Sequence, residues 1–150
     1  MESDTKTICV RDIMTKNVIC VDASVSANQA AKMMEDTRVG ALVVTEKNTP
    51  VGIITDRDFA IKVVANAYPI DTPVKRIMSS PLYSITPGES VWMISDLMAT
   101  RGIRKLPVID DDKVVGIVTA TDIVNRFAHA TEDEVKRMYH HELAKIYNYP

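Results

Sequence analysis

The chain contains one segment twice, at an offset of 64 residues. Val10–Ala60 aligns with Val74–Val124 without a gap, and 12 of the 51 aligned pairs are identical. Unrelated sequences share only a few identical residues over such a length. Self-similarity at a fixed spacing indicates a tandem duplication, so both copies are expected to have the same fold.

Each copy predicts the same order of elements, β-α-β-β-α, after a short opening turn. Apolar residues at intervals of three and four predict one amphipathic helix, and β-branched apolar runs predict three strands, the last two as a hairpin. These strands are apolar on both faces, so helices are expected to cover the sheet and the fold class is α/β (α+β). The predicted strands and helices are Val18–Val21, Ser26–Thr37, Ala41–Val44, Val51–Thr55 and Asp58–Ala67 in the first copy, and Leu82–Ile85, Ser90–Arg101, Leu106–Ile109, Val114–Thr119 and Asp122–Ala130 in the second.

The duplication divides the chain into four parts. The first copy is expected at residues 8–67 and the second at 74–130, joined by a linker at 68–73 that contains two prolines. Residues 131–150 are an extension outside the repeat. There Thr131–Glu134 is predicted to cap a C-terminal helix.

Composition argues against several broad classes of function. The net charge is −2, from 18 basic and 20 acidic residues, so a general electrostatic surface for nucleic acid or an anionic membrane is not expected. No apolar run approaches the ~20 residues needed to span a bilayer, and the polar N-terminus lacks a signal sequence, so we expect a cytoplasmic protein. Cys9 and Cys20 lack the spacing of a zinc site, and Cys20 is predicted to lie in the core.

Each copy ends its hairpin with the motif G-h-h-T-x-x-D, in which h is apolar, at Gly52–Asp58 and Gly116–Asp122. A threonine closes a strand there, and an aspartate three residues later begins a helix. Such residues commonly act only as helix N-caps. A neighbouring hydroxyl and carboxylate can also pair with the two hydroxyls of a ribose, while the N–H groups of a helix start attract phosphate. The motif therefore indicates helix caps, nucleotide sites, or both.

Catalytic and metal-binding groups are not evident in the sequence. No nucleophile with a base, and no pair of carboxylates poised for acid–base chemistry, can be assembled from it. His140 and His141 are adjacent on the predicted C-terminal helix, where neighbouring residues point in different directions and cannot chelate one metal. We therefore expect neither enzymatic activity nor a bound metal.

Together the motifs resemble those of the CBS domain, which is named after cystathionine β-synthase. The likeness covers residues 8–130 and includes the two G-h-h-T-x-x-D motifs, Ile-Met before the first strand of each copy, and L-P-V-I-D at Leu106–Asp110. A tandem pair of such domains is called a Bateman module. The resemblance implies a pseudo-twofold pair of repeats, homodimerisation through their helices, and clefts between the repeats that bind AMP, ADP, ATP or S-adenosylmethionine.

In family members that bind such ligands, the threonine and aspartate hold the ribose, apolar side chains enclose the adenine, and basic residues reach the phosphate. Carried over by position, the resemblance implies a second cleft formed by Thr15, Val18, Ile19, Val39, Gly40, Arg104, Lys105, Ile117, Thr119 and Asp122. It implies a first cleft formed by Ile53, Thr55, Arg57, Asp58, Ser79, Leu82, Tyr83 and Ile103.

The two clefts are not equally equipped. Gly40 and Ala41 occupy in the first copy the positions of Arg104 and Lys105 in the second. Arg57 is then the only base predicted near the first ribose pair. Phosphate binding is therefore expected at the second cleft, and an adenosine-like ligand with little charge, or no ligand, at the first.

The leading interpretation is a regulatory module that senses adenine nucleotides, requires no cofactor, and acts on a downstream protein of unknown identity. Two alternatives remain open. The pair could serve only as a structural scaffold for dimerisation, without a nucleotide. It could also bind nucleic acid, which the near-neutral charge disfavours.

Overall fold

The computed structural model describes residues 8–127. The helix predicted from Thr131 onward, with His140 and His141, lies outside the described residues. Within the described range the chain forms two compact units. Residues 17–83 form the first-copy unit, and residues 8–16 together with 84–127 form the second-copy unit.

The helices and strands agree with the predicted mixed α/β fold, which is confirmed. In chain order they are α1 (Val10–Ile13), β1 (Cys20–Asp22), α2 (Ala27–Thr37), β2 (Ala41–Glu46), β3 (Thr49–Thr55), α3 (Asp56–Asp58, continued by a π-helix at Phe59–Ala65), a 3₁₀ turn at Val74–Arg76, α4 (Val91–Arg101), β4 (Lys105–Asp110), β5 (Lys113–Thr119) and α5 (Ala120–Phe127).

The sheet of the first-copy unit has the strand order β1-β2-β3. β1 runs parallel to β2, and β2 pairs antiparallel with β3, so that Ala41 lies opposite Thr55. Lys47 and Asn48 form the hairpin turn with positive φ angles of 50° and 62°, as a two-residue turn that follows the strand twist requires. The core of this unit consists of buried apolar residues that include Val21, Ala27, Ala30, Leu42, Val44 and Ile54.

The hairpin of the second-copy unit repeats this geometry. β4 pairs antiparallel with β5 in the same register, so that Lys105 lies opposite Thr119. The register shifts after Val108, as it does after Val44 in the first hairpin. The turn at Asp111–Asp112 again has positive φ angles, of 50° and 61°. The two junctions at the ends of these hairpins therefore have closely matched backbones.

The strand predicted at Leu82–Ile85 is wrong. Only Ile85 pairs with β4, through a single parallel bridge. In the first copy the N–H of Val43 donates to the carbonyl of Ile19 at 3.0 Å and extends the pairing beside β1. Pro107 stands at the matching position of β4 and has no N–H, so the corresponding hydrogen bond cannot form.

The opening turn of each copy lies in the unit that contains the hairpin of the other copy. In the second-copy unit, the N–H of Val10 donates to the carbonyl of Glu89 at 2.9 Å. In the first-copy unit, the N–H of Val74 donates to the carbonyl of Val25 at 2.8 Å. Val10 and Val74 are both fully buried. Each compact unit thus combines segments from both sequence copies.

The segment predicted as a linker is hydrogen-bonded to α2. The carbonyls of Thr72 and Ile70 accept hydrogen bonds from the first two N–H groups of α2, at 2.8 and 2.9 Å. The first N–H groups of a helix have no partner within it, so these carbonyls satisfy two of them. The carbonyl of Ile8 bonds the N–H of Val91 in the same way at the start of α4, at 3.1 Å.

The closing helices of the two copies differ. Both begin two residues before their predicted starts, but Asp56–Asp58 is followed by a π-helix over Phe59–Ala65, whereas Ala120–Phe127 is α-helical. At the end of the π-helix, the N–H of Asn66 donates to the carbonyl of Ile61, five residues earlier, at 3.0 Å. Turns of π-helix are rare and occur frequently at functional sites.

The prediction that Cys20 lies in the core is wrong. β1 buries only its central residue, Val21, and Cys20 is exposed. Partial burial of the sulfur nevertheless raises the pKa of the Cys20 thiol. The thiol is therefore protonated at neutral pH, unlike the thiolate of a reactive cysteine.

Candidate functional site

Each unit contains one strand-to-helix junction with the threonine and aspartate of the motif. The first junction, Thr55–Asp58, lies where β3 ends and α3 begins. The second junction, Thr119–Asp122, lies where β5 ends and α5 begins. These junctions are the candidate sites because they place a hydroxyl and a carboxylate together at a helix N-terminus.

A short backbone pairing places a hydroxyl-bearing residue beside each junction. In the second-copy unit, Thr15 and Ile117 exchange two backbone hydrogen bonds, of 2.8 and 2.9 Å. In the first-copy unit, Ser79 and Ile53 do the same, at 2.8 and 3.3 Å. The structure thereby brings these four predicted residues next to the junction of their own unit.

The glycine of each motif permits this close pairing. A Cβ atom at Gly116 would lie 2.6 Å from the sulfur of Met14 and 3.0 Å from the carbonyl oxygen of Thr15. At Gly52 it would lie 2.5 Å from the sulfur of Met78. The two methionines were not predicted to take part in the site. The sequence signal for them is the Ile-Met pair at the same position in both copies.

The second junction is a complete capping box. Oδ2 of Asp122 accepts a hydrogen bond from the N–H of Thr119 at 2.8 Å, and the hydroxyl of Thr119 accepts one from the N–H of Asp122 at 3.1 Å. Helix capping, the simpler interpretation of the motif, is therefore confirmed here. Capping does not exclude ligand binding, since a hydroxyl and a carboxylate each have further hydrogen-bonding capacity.

The second junction has two hydrogen-bonding positions that a ligand could use. The hydroxyl of Thr119 is an acceptor in the capping box, which leaves its proton for another partner. Within residues 8–127, no protein group donates a hydrogen bond to Oδ1 of Asp122. Asp122 is only half-buried. The junction can therefore offer one donor and one acceptor to a pair of ligand hydroxyls.

Two basic residues lie in the strand next to the second junction. Lys105 is the direct cross-strand partner of Thr119, and the carbonyl of Arg104 accepts a hydrogen bond from the first N–H of α5 at 2.9 Å. Directly opposed residues of antiparallel strands share a face, with Cβ atoms roughly 4.5–5.5 Å apart. The side chain of Lys105 thus begins on the face of Thr119. In the first hairpin Ala41 holds this place opposite Thr55.

The first junction is more completely bonded within the protein. Oδ2 of Asp58 accepts hydrogen bonds from the N–H of Thr55 at 2.9 Å and from its hydroxyl at 3.4 Å. Oδ1 accepts one from the hydroxyl of Ser79 at 3.1 Å and lies 3.6 Å from Nζ of Lys62. Asp58 is 9% exposed. Both oxygens of this carboxylate are therefore already engaged.

Lys62 is a second base at the first junction, so the prediction that Arg57 is the only one there is wrong. Arg57 is exposed, and its backbone N–H donates to the side chain of Asp56 at 2.9 Å. Lys62 lies one helical turn after Asp58 and forms the ion pair with it. The spacing of four residues between an acid and a base on a helix is the signal that could have identified this pair.

The remaining predicted residues are distributed over both units. Those predicted for the second cleft that belong to the first-copy unit are Val18, Ile19, Val39 and Gly40. Ile19 and Val39 pack against the core of that unit. Leu82 and Tyr83 share the first-copy unit with the first junction, whereas Ile103 belongs to the second-copy unit. Their assignment to ligand sites stays a prediction.

The described residues contain neither a cluster of metal ligands nor a helix that could span a membrane. In the described part of the chain, no group of three or more His, Cys, Asp or Glu side chains could hold a metal ion. No helix within residues 8–127 has the length and apolar character needed to cross a membrane. The two junctions therefore remain the candidate sites of these units.

Comparison with known proteins identifies one matching family. The family model of the CBS domain matches residues 10–65 and residues 74–129. Each matched segment contains one of the two junctions. Together the segments include all of the aligned duplicated sequence, Val10–Ala60 and Val74–Val124.

Relatives and solved structures resemble the chain over most of its length. The CBS domain-containing protein YhcV of Bacillus subtilis is 38% identical over 121 residues, which cover 80% of this chain and 86% of that protein. The CBS domain pair of protein MJ0100, solved in complex with 5′-methylthioadenosine and S-adenosyl-L-methionine, is 30% identical with a TM-score of 0.75, over 83% of this chain and 99% of that one. The hexameric CBS-CP12 protein from bloom-forming cyanobacteria is 28% identical with a TM-score of 0.77, over 90% and 80%.

Proposed function

The chain belongs to the CBS domain family as a tandem pair, and we propose that it is a regulatory module that binds an adenine nucleotide, AMP, ADP or ATP, at the second junction. The observation that carries this proposal is the arrangement of Thr119 and Asp122. One ribose hydroxyl would donate to Oδ1 of Asp122, and the other would accept the proton of the Thr119 hydroxyl.

The charges beside the second junction support a ligand with phosphate. Lys105 lies opposite Thr119, and Arg104 precedes it in the chain. Guanidinium and ammonium groups both bind phosphate, the first through a planar fork and the second as a compact charge. The ligands of the MJ0100 domain pair contain adenosine but no phosphate. The two cations of this chain therefore favour a nucleotide over S-adenosylmethionine, which stays the alternative ligand.

The test is calorimetry of AMP binding to the wild-type chain and to Asp122→Ala. Loss of a hydrogen bond to a charged acceptor should weaken affinity about tenfold or more. Loss of the cap should lower the free energy of unfolding by about 1 kcal/mol. Asp36→Ala, which removes an exposed carboxylate from α2, should leave the affinity for AMP unchanged. Unaltered AMP affinity in Asp122→Ala would refute the site.

Self-association is a second candidate function, favoured by exposed apolar side chains. In the first-copy unit Val64 and Ile70 are 77% and 63% exposed, and in the second-copy unit Met93 is 63% exposed. Burial of such side chains against a second copy would favour association. The hexameric CBS-CP12 relative is an assembly of this fold. We propose a homodimer in which helices of the repeats make the contact.

Light scattering coupled to size exclusion tests this second candidate. The wild-type chain should elute with the mass of a dimer, and the double variant Val64→Glu with Met93→Glu, which changes one exposed helical residue in each unit, should shift toward the monomer. Lys32→Glu, which changes a charge on exposed α2 surface, is the matched control and should leave the mass unchanged. A dimer that forms without any response to AMP would favour the scaffold function over the sensor function.

A further inference from the structure

Lys62 lies at the first junction, which the proposed function does not use. We infer that its ammonium group fills this junction as a built-in cation, and that Lys62 thereby confines adenosine ligands to the second junction. This inference rests on the proposed function, because it explains why only one of two similar junctions would accept a ligand.

The ammonium group of Lys62 has three oxygen partners in the first-copy unit. It donates to the carbonyl of Ile77 at 2.6 Å and to that of Met78 at 3.2 Å, and it lies 3.6 Å from Oδ1 of Asp58. Two of its three protons are used in the hydrogen bonds to the carbonyls, and the contact with Asp58 is an ion pair. The Lys62 side chain is 31% exposed and that of Asp58 only 11%. The carbonyls of Ile77 and Met78, in the opening segment of the second copy, therefore hold the ammonium group toward the interior of the unit.

The carboxylate of Asp58 is largely engaged by the same arrangement. An ionised carboxylate has about four lone-pair positions. Three hydrogen bonds reach it, from the N–H and the hydroxyl of Thr55 and from the hydroxyl of Ser79, and the ammonium of Lys62 lies beside Oδ1 as its ion-pair partner. A ribose hydroxyl would have to compete with these groups for Asp58. It would also have to compete with the carboxylate for the proton of the Thr55 hydroxyl, which lies 3.4 Å from Oδ2.

The second junction lacks this filling. The residue that matches Lys62 at the offset of 64 is Arg126, which is exposed and forms no ion pair with Asp122 among the described residues. The hydroxyl of Thr119 accepts from the N–H of Asp122 and, among the described residues, makes no hydrogen bond to its carboxylate, whereas the hydroxyl of Thr55 also contacts the carboxylate of Asp58. The helix around Arg126 is α-helical, whereas Lys62 lies in the π-helix. The two junctions thus differ in their basic side chain, Lys62 or Arg126, and in the type of helix that contains it.

Removal of the ammonium group should open the first junction. Lys62→Met keeps most of the apolar stem and removes the positive charge, so Oδ1 of Asp58 gains room for a ligand hydroxyl. Ala41 lies opposite Thr55 and offers no cation for a phosphate. Uncharged adenosine is therefore the suitable probe for the opened junction, and AMP is the probe for the second.

Native mass spectrometry and calorimetry with adenosine test the inference by counting ligands per chain. At the lowest adenosine concentration that fills the wild-type site, the wild-type chain should bind one adenosine and Lys62→Met two. Asp122→Ala should bind well below one, because its affinity is weakened about tenfold or more, and the double variant Lys62→Met with Asp122→Ala about one. Arg126→Met, the matched control in the second copy, should still bind one. If Lys62→Met does not fold, Lys62→Gln, which can still donate to the carbonyl of Ile77, is judged by the same counts.

The possible outcomes separate this inference from the proposed function. Two adenosines on the wild-type chain, or one on both the wild-type chain and Lys62→Met, would overturn the inference and leave the second junction intact. Neither adenosine nor AMP on the wild-type chain, but one adenosine on Lys62→Met, would support the role of Lys62 at the first junction and overturn the proposed function. No binding to either protein would overturn both.

In the wild-type chain, acetylation of Lys62 should proceed at the same rate with and without AMP, and acceleration by AMP would show that the ligand displaces Lys62.

Discussion

Lys105 lies directly opposite Thr119 in the second hairpin, on the same face of the two strands. The matching pair in the first hairpin is Ala41 and Thr55. Because the two hairpins share one register, the difference between them lies in the side chain and not in the backbone. The second junction has a cation beside its threonine, where the first has a methyl group.

Lys105→Ala should therefore weaken the binding of AMP and leave the binding of adenosine nearly unchanged. Adenosine has the ribose but no phosphate, so only AMP loses a charged contact. A hydrogen bond between charged groups contributes about 1.5–3 kcal/mol, which corresponds to a loss of about tenfold or more in affinity. Calorimetry with both ligands measures the difference. Lys113→Ala, at the turn of the same hairpin, is the control, and equal losses for AMP and adenosine would contradict a phosphate contact.

Gly116→Ala should destabilise the second-copy unit by about 1–3 kcal/mol, as overpacked sites do. The new Cβ would meet both the sulfur of Met14 and the carbonyl oxygen of Thr15, and the backbone atom cannot move without loss of the pairing to Ile117. At Gly88 a Cβ would meet only the mobile end of Arg11, at 3.2 Å. Gly88→Ala should thus cost less than about 0.5 kcal/mol. Urea unfolding compares the two variants, and similar losses would show that the close approach at Gly116 is not required.

Ser24→Ala should change the stability of the chain in a pH-dependent way. Hydrogen bonds from the hydroxyl and the N–H of Ser24 lower the pKa of Asp22 below its usual value. Because the pKa of Asp22 is lower in the folded chain than its value of about 3.9 in the unfolded chain, ionised Asp22 stabilises the folded state at pH values above about 3.9. This contribution disappears as the pH falls through the lower pKa of the folded chain. The difference in unfolding midpoint between wild type and Ser24→Ala should be constant near neutral pH and shrink in acid. A difference in unfolding midpoint that does not depend on pH would show that Ser24 does not lower the pKa of Asp22.

The duplicated pattern predicted most of the fold because both copies follow the same local rules. Ser26 and Ser90 begin their helices as N-caps, with hydroxyls that accept hydrogen bonds at 3.2 and 3.3 Å. The strand predicted at Leu82–Ile85 does not form because Pro107, in the neighbouring strand β4, has no N–H to donate to it. A residue that removes a hydrogen bond from a distant segment leaves no sign in the pattern of that segment.

The site was less predictable than the fold, because its differences depend on contacts between segments far apart in the chain. The motif predicts that Thr55 and Asp58 lie together, and they do. The contacts of Ser79 with Asp58 and of Lys62 with the carbonyl of Ile77 depend on how the opening segment packs against the closing helix. Alignment of the two copies shows the difference between Ala41 and Lys105, but not these contacts between separate segments.

The threonine hydroxyls of the two junctions provide the most direct test of their inequality. Thr119→Val and Thr55→Val each remove one hydroxyl and keep the branched shape of the side chain. Each should lower the free energy of unfolding by about 0.5–2 kcal/mol, since both hydroxyls are bonded at a helix N-terminus. Only Thr119→Val should weaken AMP binding, by about tenfold if the lost hydrogen bond contributes near 1.4 kcal/mol.

Thermal unfolding with and without AMP measures both effects, because a ligand at 100 times its dissociation constant stabilises by about 2.7 kcal/mol. Equal loss of the AMP-dependent shift in both variants would show that the two junctions bind alike, and loss in Thr55→Val alone would place the ligand at the first.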